Sequence, residues 1–312
     1  MRIGIAGAGA MGSRFGYMLS EAGQDVTLID SWSDHVEAIK ANGLQIDWNG
    51  ESRVAPFKIV YPHEVAGTFD LIICFTKAMG LDQMLSSIQS AIGPDTALLC
   101  LLNGIGHEET VRKYVPDANF ILGTTIWTAG LDGPGRAHLY GSGAVALENM
   151  ENSESAKRKA YEVAELLDGA GLNASYSDSV RYSIYRKATL NGAVNAMCTI
   201  LECNLNTFGS TQSSEEIIVG ILNEFGDVAA HEGINLDREE VLNYIHSIFS
   251  PDSIGEHYPS MYQDLVKNNR ITEIDYLNGA IARKGKDYGI PTPFCELVTL
   301  LVHAKEEIRG AK

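Results

Sequence analysis

Lys187, Asn191 and Asn195 follow one another at steps of four, and Ala188, Thr189, Leu190, Gly192, Ala193 and Val194 lie between them. On a helix that spacing sets the cation and both amides on one stripe. Polar groups on an otherwise packable face carry a desolvation cost unless a ligand or partner satisfies them. An ammonium so placed can give a proton to a carbonyl oxygen and stabilise the charge that forms there. A solvated polar face has the same spacing, and on the stripe alone the two readings stand level. Ser260 and the segment from Thr272 to Gly279, with Glu273 in it, are the other notable polar features of the second half. A capping interaction of Thr272 with Asp275 would make Glu273 an ordinary first-turn acid.

A second constellation opens the chain. Residues 2–6 read as a buried strand, followed by Gly7-Ala8-Gly9-Ala10-Met11-Gly12, a helical stretch to about Glu21, and a second strand ending in Asp30. Strand, glycine turn, helix, strand and acid in this order are the context of a dinucleotide fingerprint. Gly7 allows the tight turn, Gly9 lets backbone approach a pyrophosphate, and Gly12 lets the helix pack closely. Ala10 and Met11 open the helix whose free N–H groups would bind the phosphates. Asp30 can accept from both ribose hydroxyls of NAD, whereas the 2′-phosphate of NADP would meet its charge. NAD is therefore expected over NADP; the plainer role for Asp30 is to cap the helix starting near Ser33.

These residues need a frame. Residues 70–75 and 96–101 read as strands separated by a helix-like stretch at 81–92, and they end at Lys77 and Asn103. Residues beyond the carboxyl ends of strands line the ligand crevice of an open α/β sheet, which makes both candidates. A surface lysine and a turn asparagine are the alternative. Shorter strands are expected at 120–125, 137–140 and 144–147, a hairpin at 42–57, and a helix at 153–169. Helical periodicity then dominates at 180–200, 214–232, 238–248, 274–288 and 293–309. The expected fold is an α/β doubly wound N-terminal domain over residues 1–177 and an all-α C-terminal domain over 178–312.

Composition narrows the class. Apolar residues make 45% of the 312 and charged residues 21%, as in a globular chain with a sizeable core. Lys and Arg number 24 against 40 Asp and Glu, a formal charge of −16 that disfavours nucleic acid and anionic lipid as partners. The five cysteines are odd in number and scattered, which suits reduced thiols in a cytoplasmic protein and no metal site. No apolar run reaches the length of a membrane span.

Taken together, the chain resembles the ketopantoate reductase family along essentially its whole length. The resemblance rests on the GAGAMG turn, Phe-Thr-Lys at Lys77, Leu-Asn-Gly at Asn103, and the run from Tyr185 to Asn195. Ser-Met-Tyr-Gln-Asp from Ser260 and Thr-Glu-Ile-Asp-Tyr-Leu-Asn-Gly from Thr272 complete it. It implies a Rossmann-like nucleotide domain and a helical substrate domain. It further implies Lys187 as general acid, Glu273 as its support, and Asn103, Asn191, Asn195 and Ser260 positioning cofactor or substrate. Two departures bear on specificity: Asp30 replaces the family's usual basic residue, and His257 replaces an asparagine of the substrate site. Both point away from ketopantoate with NADPH and toward NAD-dependent reduction of branched or aromatic 2-oxo acids, as in D-mandelate dehydrogenases. A 2-dehydropantoate 2-reductase and a dinucleotide sensor without turnover are the alternatives. The small anionic acid is the expected partner, with a homodimer formed through the C-terminal helices.

Overall fold

A computed structural model describes residues 1–250 and 252–312. The chain divides into two compact units, one of residues 1–102 with 107–180 and one of 103–106 with 181–312.

The first unit begins with β1 (Arg2–Ala6), α1 (Ala10–Glu21), β2 (Asp25–Ile29) and α2 (Ser33–Asn42). Then come β3 (Leu44–Trp48), β4 (Glu51–Ala55), β5 (Lys58–Val60), β6 (Phe69–Cys74), α3 (Leu81–Ser87) and β7 (Ile92–Cys100). It continues through α4 (His107–Val111), β8 (Phe120–Thr125), β9 (Gly130–Gly133), β10 (Arg136–Leu139), β11 (Val145–Asn149), α5 (Glu154–Gly169) and β12 (Ala174–Tyr176). Among the described residues, eight strands form one sheet in the order β12-β11-β8-β7-β6-β1-β2-β5. The run from β5 to β8 is parallel, and β11 closes antiparallel on β8. This is a Rossmann-like sheet whose winding reverses between β1 and β6, the switch point at which such sheets bind ligands. Leu71, Ile72, Ile73 and Cys74 are all buried because both faces of the sheet are covered.

The expected hairpin is present as β3 and β4, and with β10 and β9 it builds a separate four-stranded sheet. Helix α1 packs between β2 on one side and β9 and β10 on the other, so Gly12–Leu19 is buried without interruption. The stretch expected to be helical to residue 92 is so only over Leu81–Ser87, and β7 starts at Ile92, four residues before the expected strand. Gly93-Pro94 lies on the less buried first half of that strand.

The second unit is helical: α6 (Val180–Leu190), α7 (Ala196–Leu201), α8 (Leu205–Gly209), α9 (Ser214–His231), α10 (Arg238–Ile248), α11 (Ser260–Tyr262), α12 (Asn278–Tyr288) and α13 (Pro293–Arg309). Its core runs along α9, where Ile218, Ile221, Leu222, Phe225, Val228 and Ala229 recur at helical spacing against α10, α12 and α13. The expected helix at 180–200 is not α-helical throughout: Asn191–Asn195 forms a π turn. A second π turn, Gln263–Lys267, follows α11. The helix expected from Ile274 breaks at Leu277, leaving a 3₁₀ turn over Ile274–Tyr276 before α12. Residues 103–106 group with this unit through the bond from Ile105 N to Tyr276 O at 2.7 Å. Asn103, just beyond the carboxyl end of β7, is thereby grouped with the second unit.

Candidate functional site

At the switch point the backbone turns out of β1 through Gly7, whose φ is +98°. A side chain there would meet Thr76 N at 2.6 Å, and one at Gly12 would meet Gly7 O at 2.0 Å. Gly9 is different: nothing lies within 4 Å of where its Cβ would be. The turn is thus closed on the protein side and open on the other. Ala10 and Met11 start α1, whose first N–H groups have no intrahelical acceptor and whose first turn carries no acid. An open cradle facing free donors at the positive end of a 12-residue helix fits a diphosphate.

Asp30 directly follows β2 and its carboxylate accepts from Ala8 N at 2.6 Å and Trp32 N at 2.8 Å. It therefore ties the turn to the start of α2. Each oxygen keeps a further lone pair for a hydroxyl donor. The simple capping role is met in part, since Trp32 is the residue that precedes α2. Lys77 follows β6 in the same unit, exposed, in extended conformation before a 3₁₀ turn.

The second unit holds its own small polar pocket, lined by Asn103, Asn191, Asn195, Ser260, Met261, Asp264, Glu273 and Leu277. Five of the six expected site residues of this unit other than Lys187 line it: Asn103, Asn191, Asn195, Ser260 and Glu273. The exception is His257, which is exposed and off the lining, its carbonyl accepting from Leu205 N at 3.3 Å. The Asn204 and Asn206 amides on either side of Leu205 donate to Glu256. Asp264 was not anticipated, although its place four residues after Ser260 repeats the spacing that singled out Asn191. A π turn closes on the fifth residue and not the fourth, so it rotates less per residue than an α turn. It draws Asn195 back toward the line of Lys187 and Asn191, and the Asn195 Nδ2 donates to Asn191 Oδ1 at 2.9 Å. That bond leaves Asn191 its amide donors and Asn195 its acceptor.

Lys187 stands one turn before Asn191. Burial lowers its pKa from the usual lysine value and the Glu273 carboxylate opposes the shift, so these two charges feel each other. Below Lys187, Tyr185 donates to Glu232 at 2.8 Å, a carboxylate also bound by Lys284 at 2.6 Å and Tyr288 at 2.7 Å. This buried knot joins α6, α9 and α12 and fixes the helix that presents the lysine. Glu273 is held from both sides. Thr272 N donates to Glu306 Oε1 of α13 at 2.7 Å, and Ile274 N donates to Thr272 Oγ1 at 3.3 Å. Asp275 does not cap Thr272; it faces His303 at 3.1 Å. The arrangement offers a partly dehydrated ammonium next to a carboxylate, with amide and hydroxyl donors around a small polar pocket.

The cysteines are all free, and burial drives the Cys100 thiol up to about 12, so it is unreactive. Among the described residues no group of three or more His, Cys, Asp or Glu is placed to hold a metal. None of their helices is long and apolar enough to cross a membrane.

The pattern described as Ketopantoate reductase PanE/ApbA matches residues 3–152, and its C-terminal counterpart matches residues 179–306. A 2-dehydropantoate 2-reductase of Lactococcus lactis subsp. lactis (strain IL1403) is 53% identical over 314 residues, covering 100% of both chains. One of Pyrococcus horikoshii is 32% identical over 311 residues and 99% of each chain. The ternary structure of D-mandelate dehydrogenase with NADH and anilino(oxo)acetate is 53% identical, with a TM-score of 0.93 over 100% of both chains. A PanE/ApbA family ketopantoate reductase from Ralstonia eutropha JMP134 superposes with a TM-score of 0.88 at 26% identity, over 99% of this chain and 100% of that one. With the glycine turn, the lysine–glutamate pair and both halves of the chain in agreement, this protein is an oxidoreductase that belongs to the ketopantoate reductase family.

Proposed function

We propose that the protein reduces C3-branched or aromatic 2-oxo acids to D-2-hydroxy acids with NADH, in the manner of a D-mandelate dehydrogenase. The observation that carries the reading is Lys187 under the influence of Glu273, beside a pocket furnished with Asn103, Asn191, Asn195 and Ser260. A dihydronicotinamide, when bound, supplies the hydride for the keto carbon. Lys187 Nζ holds the proton destined for the keto oxygen and stabilises the negative charge growing on it. Burial makes that proton easier to release, and Glu273 keeps the ammonium charged until it is needed. Asn191 and Ser260 offer neutral donors to the substrate carboxylate. Met261 and Leu277 give the pocket its apolar wall, suited to a branched or aromatic C3.

In the first unit, Gly7, Gly9, Ala10, Met11 and Gly12 form the diphosphate cradle and Asp30 receives the adenosine ribose, with Lys77 a further cofactor contact. A carboxylate at that place favours NAD over NADP. Two D-mandelate dehydrogenase structures at 53% and 54% identity contain NADH, which supports the same choice. The second reading, an NADPH-dependent 2-dehydropantoate 2-reductase, is favoured by the names of the curated relatives. Steady-state assays with benzoylformate, 2-oxoisovalerate and ketopantoate, each with NADH and NADPH, decide between them. The expected result is preference for NADH with benzoylformate or 2-oxoisovalerate. Preference for ketopantoate with NADPH establishes the second reading, and a total absence of turnover across a broad panel of 2-oxo acids favours a sensor.

A further inference from the structure

The link from β2 to α2 is built more tightly than a connecting loop requires. Asp30 clamps the N–H groups of both Ala8 and Trp32. His35 is fully buried and its Nδ1 accepts from Gly135 N at 3.0 Å. That bond assigns the ring proton to Nε2, which donates to Ala8 O at 2.9 Å. Ser13 Oγ donates to the same carbonyl at 2.9 Å. The imidazole also lies parallel to the Trp32 indole, with centroids 5.1 Å apart and planes 7° apart. One residue therefore holds the peptide of the glycine turn and supports an aromatic ring beside it.

Trp32 is nevertheless 42% exposed. A large aromatic surface left in water, two residues after the acid read as the ribose site and braced by a ring in the core, has the form of a stacking platform. A purine base is the planar partner that a dinucleotide would bring to this end of β2. We propose that Trp32 is the surface on which the cofactor's adenine stacks, and that His35 is the positioning residue that fixes this platform and the diphosphate turn together. The proposal rests on the dinucleotide reading above.

The test is equilibrium titration of the full-length protein with NADH and with reduced nicotinamide mononucleotide, which lacks the adenosine half, followed by nicotinamide fluorescence. Trp32→Leu weakens NADH binding about tenfold, Trp32→Phe recovers most of the loss, and affinity for the mononucleotide stays within about twofold of the wild type. His35→Phe keeps an aromatic ring against Trp32 but loses both backbone bonds. It raises the KM for NADH and lowers the melting temperature while kcat at saturating NADH stays within about twofold. Because Trp32 is exposed, its variants remain informative even where His35→Phe fails to fold. Equal NADH affinity in Trp32→Leu and wild type overturns the proposal, as does equal weakening of both ligands. Failure of the wild type to bind either NADH or NADPH overturns the dinucleotide reading itself and this inference with it.

Discussion

In the proposed mechanism Lys187 and Glu273 concentrate the chemistry in one pair of opposite charges. A proton donor must be protonated to act, so reduction falls as pH rises through the Lys187 pKa, which burial has brought below 10.5. Glu273 raises that pKa, and Glu273→Gln therefore moves the alkaline limb of the kcat/KM profile to lower pH; an unmoved limb means that Glu273 does not act on the titrating group. His35 carries the opposite risk at the acid end. Burial lowers its pKa from 6.5, so below that pH the unfolded chain binds a proton that the folded one refuses. The His35 contribution is intact above pH 6.5 and is lost as pH falls toward the folded pKa. Denaturation midpoints measured across that interval fall in the wild type and fall less in His35→Phe. The legible residues were those whose type and spacing conflict with plain packing, such as Lys187, Asn191 and Asn195. His257 was not legible as an exposed residue, because its exposure depends on the turn around residues 254–257.

At the scale of elements, what positions the site is a set of carboxylates that anchor helix ends. Glu224 on α9 accepts from Phe294 N and Cys295 N, each at 2.7 Å, and so satisfies the first turn of α13 from 70 residues away. Glu224→Ala leaves the part-buried Phe294 and buried Cys295 N–H groups without that acceptor and costs about 2 kcal/mol in chemical denaturation, whereas a change under about 0.5 kcal/mol contradicts the anchoring role. Helix α13 in turn carries Glu306, which holds the Thr272 backbone next to Glu273. The strand and helix order of the first unit could be read from hydrophobic runs and the glycine turn, since both reflect local chemistry. The two π turns could not. Apolar and polar positions keep helical spacing through Asn191–Asn195 and Gln263–Lys267, and only packing shows that the hydrogen bonds shift by one residue. The break at Leu277 was hidden likewise, because Ile274, Leu277 and Ile281 are buried at helical spacing on either side of it.

For the whole molecule, a formal charge of −16 means that the overall field opposes an anionic 2-oxo acid. Raising ionic strength from about 0.01 to 0.15 M shortens the screening length from ~30 to ~8 Å and should raise kcat/KM for benzoylformate, leaving a neutral ester of it unaffected. A fall with salt would show that a local cation dominates the encounter. In the proposed mechanism the two units divide the work: residues of the first bind the dinucleotide and residues of the second deliver the proton. Lys187→Ala separates these tasks most directly, with NADH affinity and oxo acid reduction measured on the same protein. The account predicts unchanged NADH binding and a kcat lower by about 10²-fold or more. Reduction at the wild-type rate would contradict it.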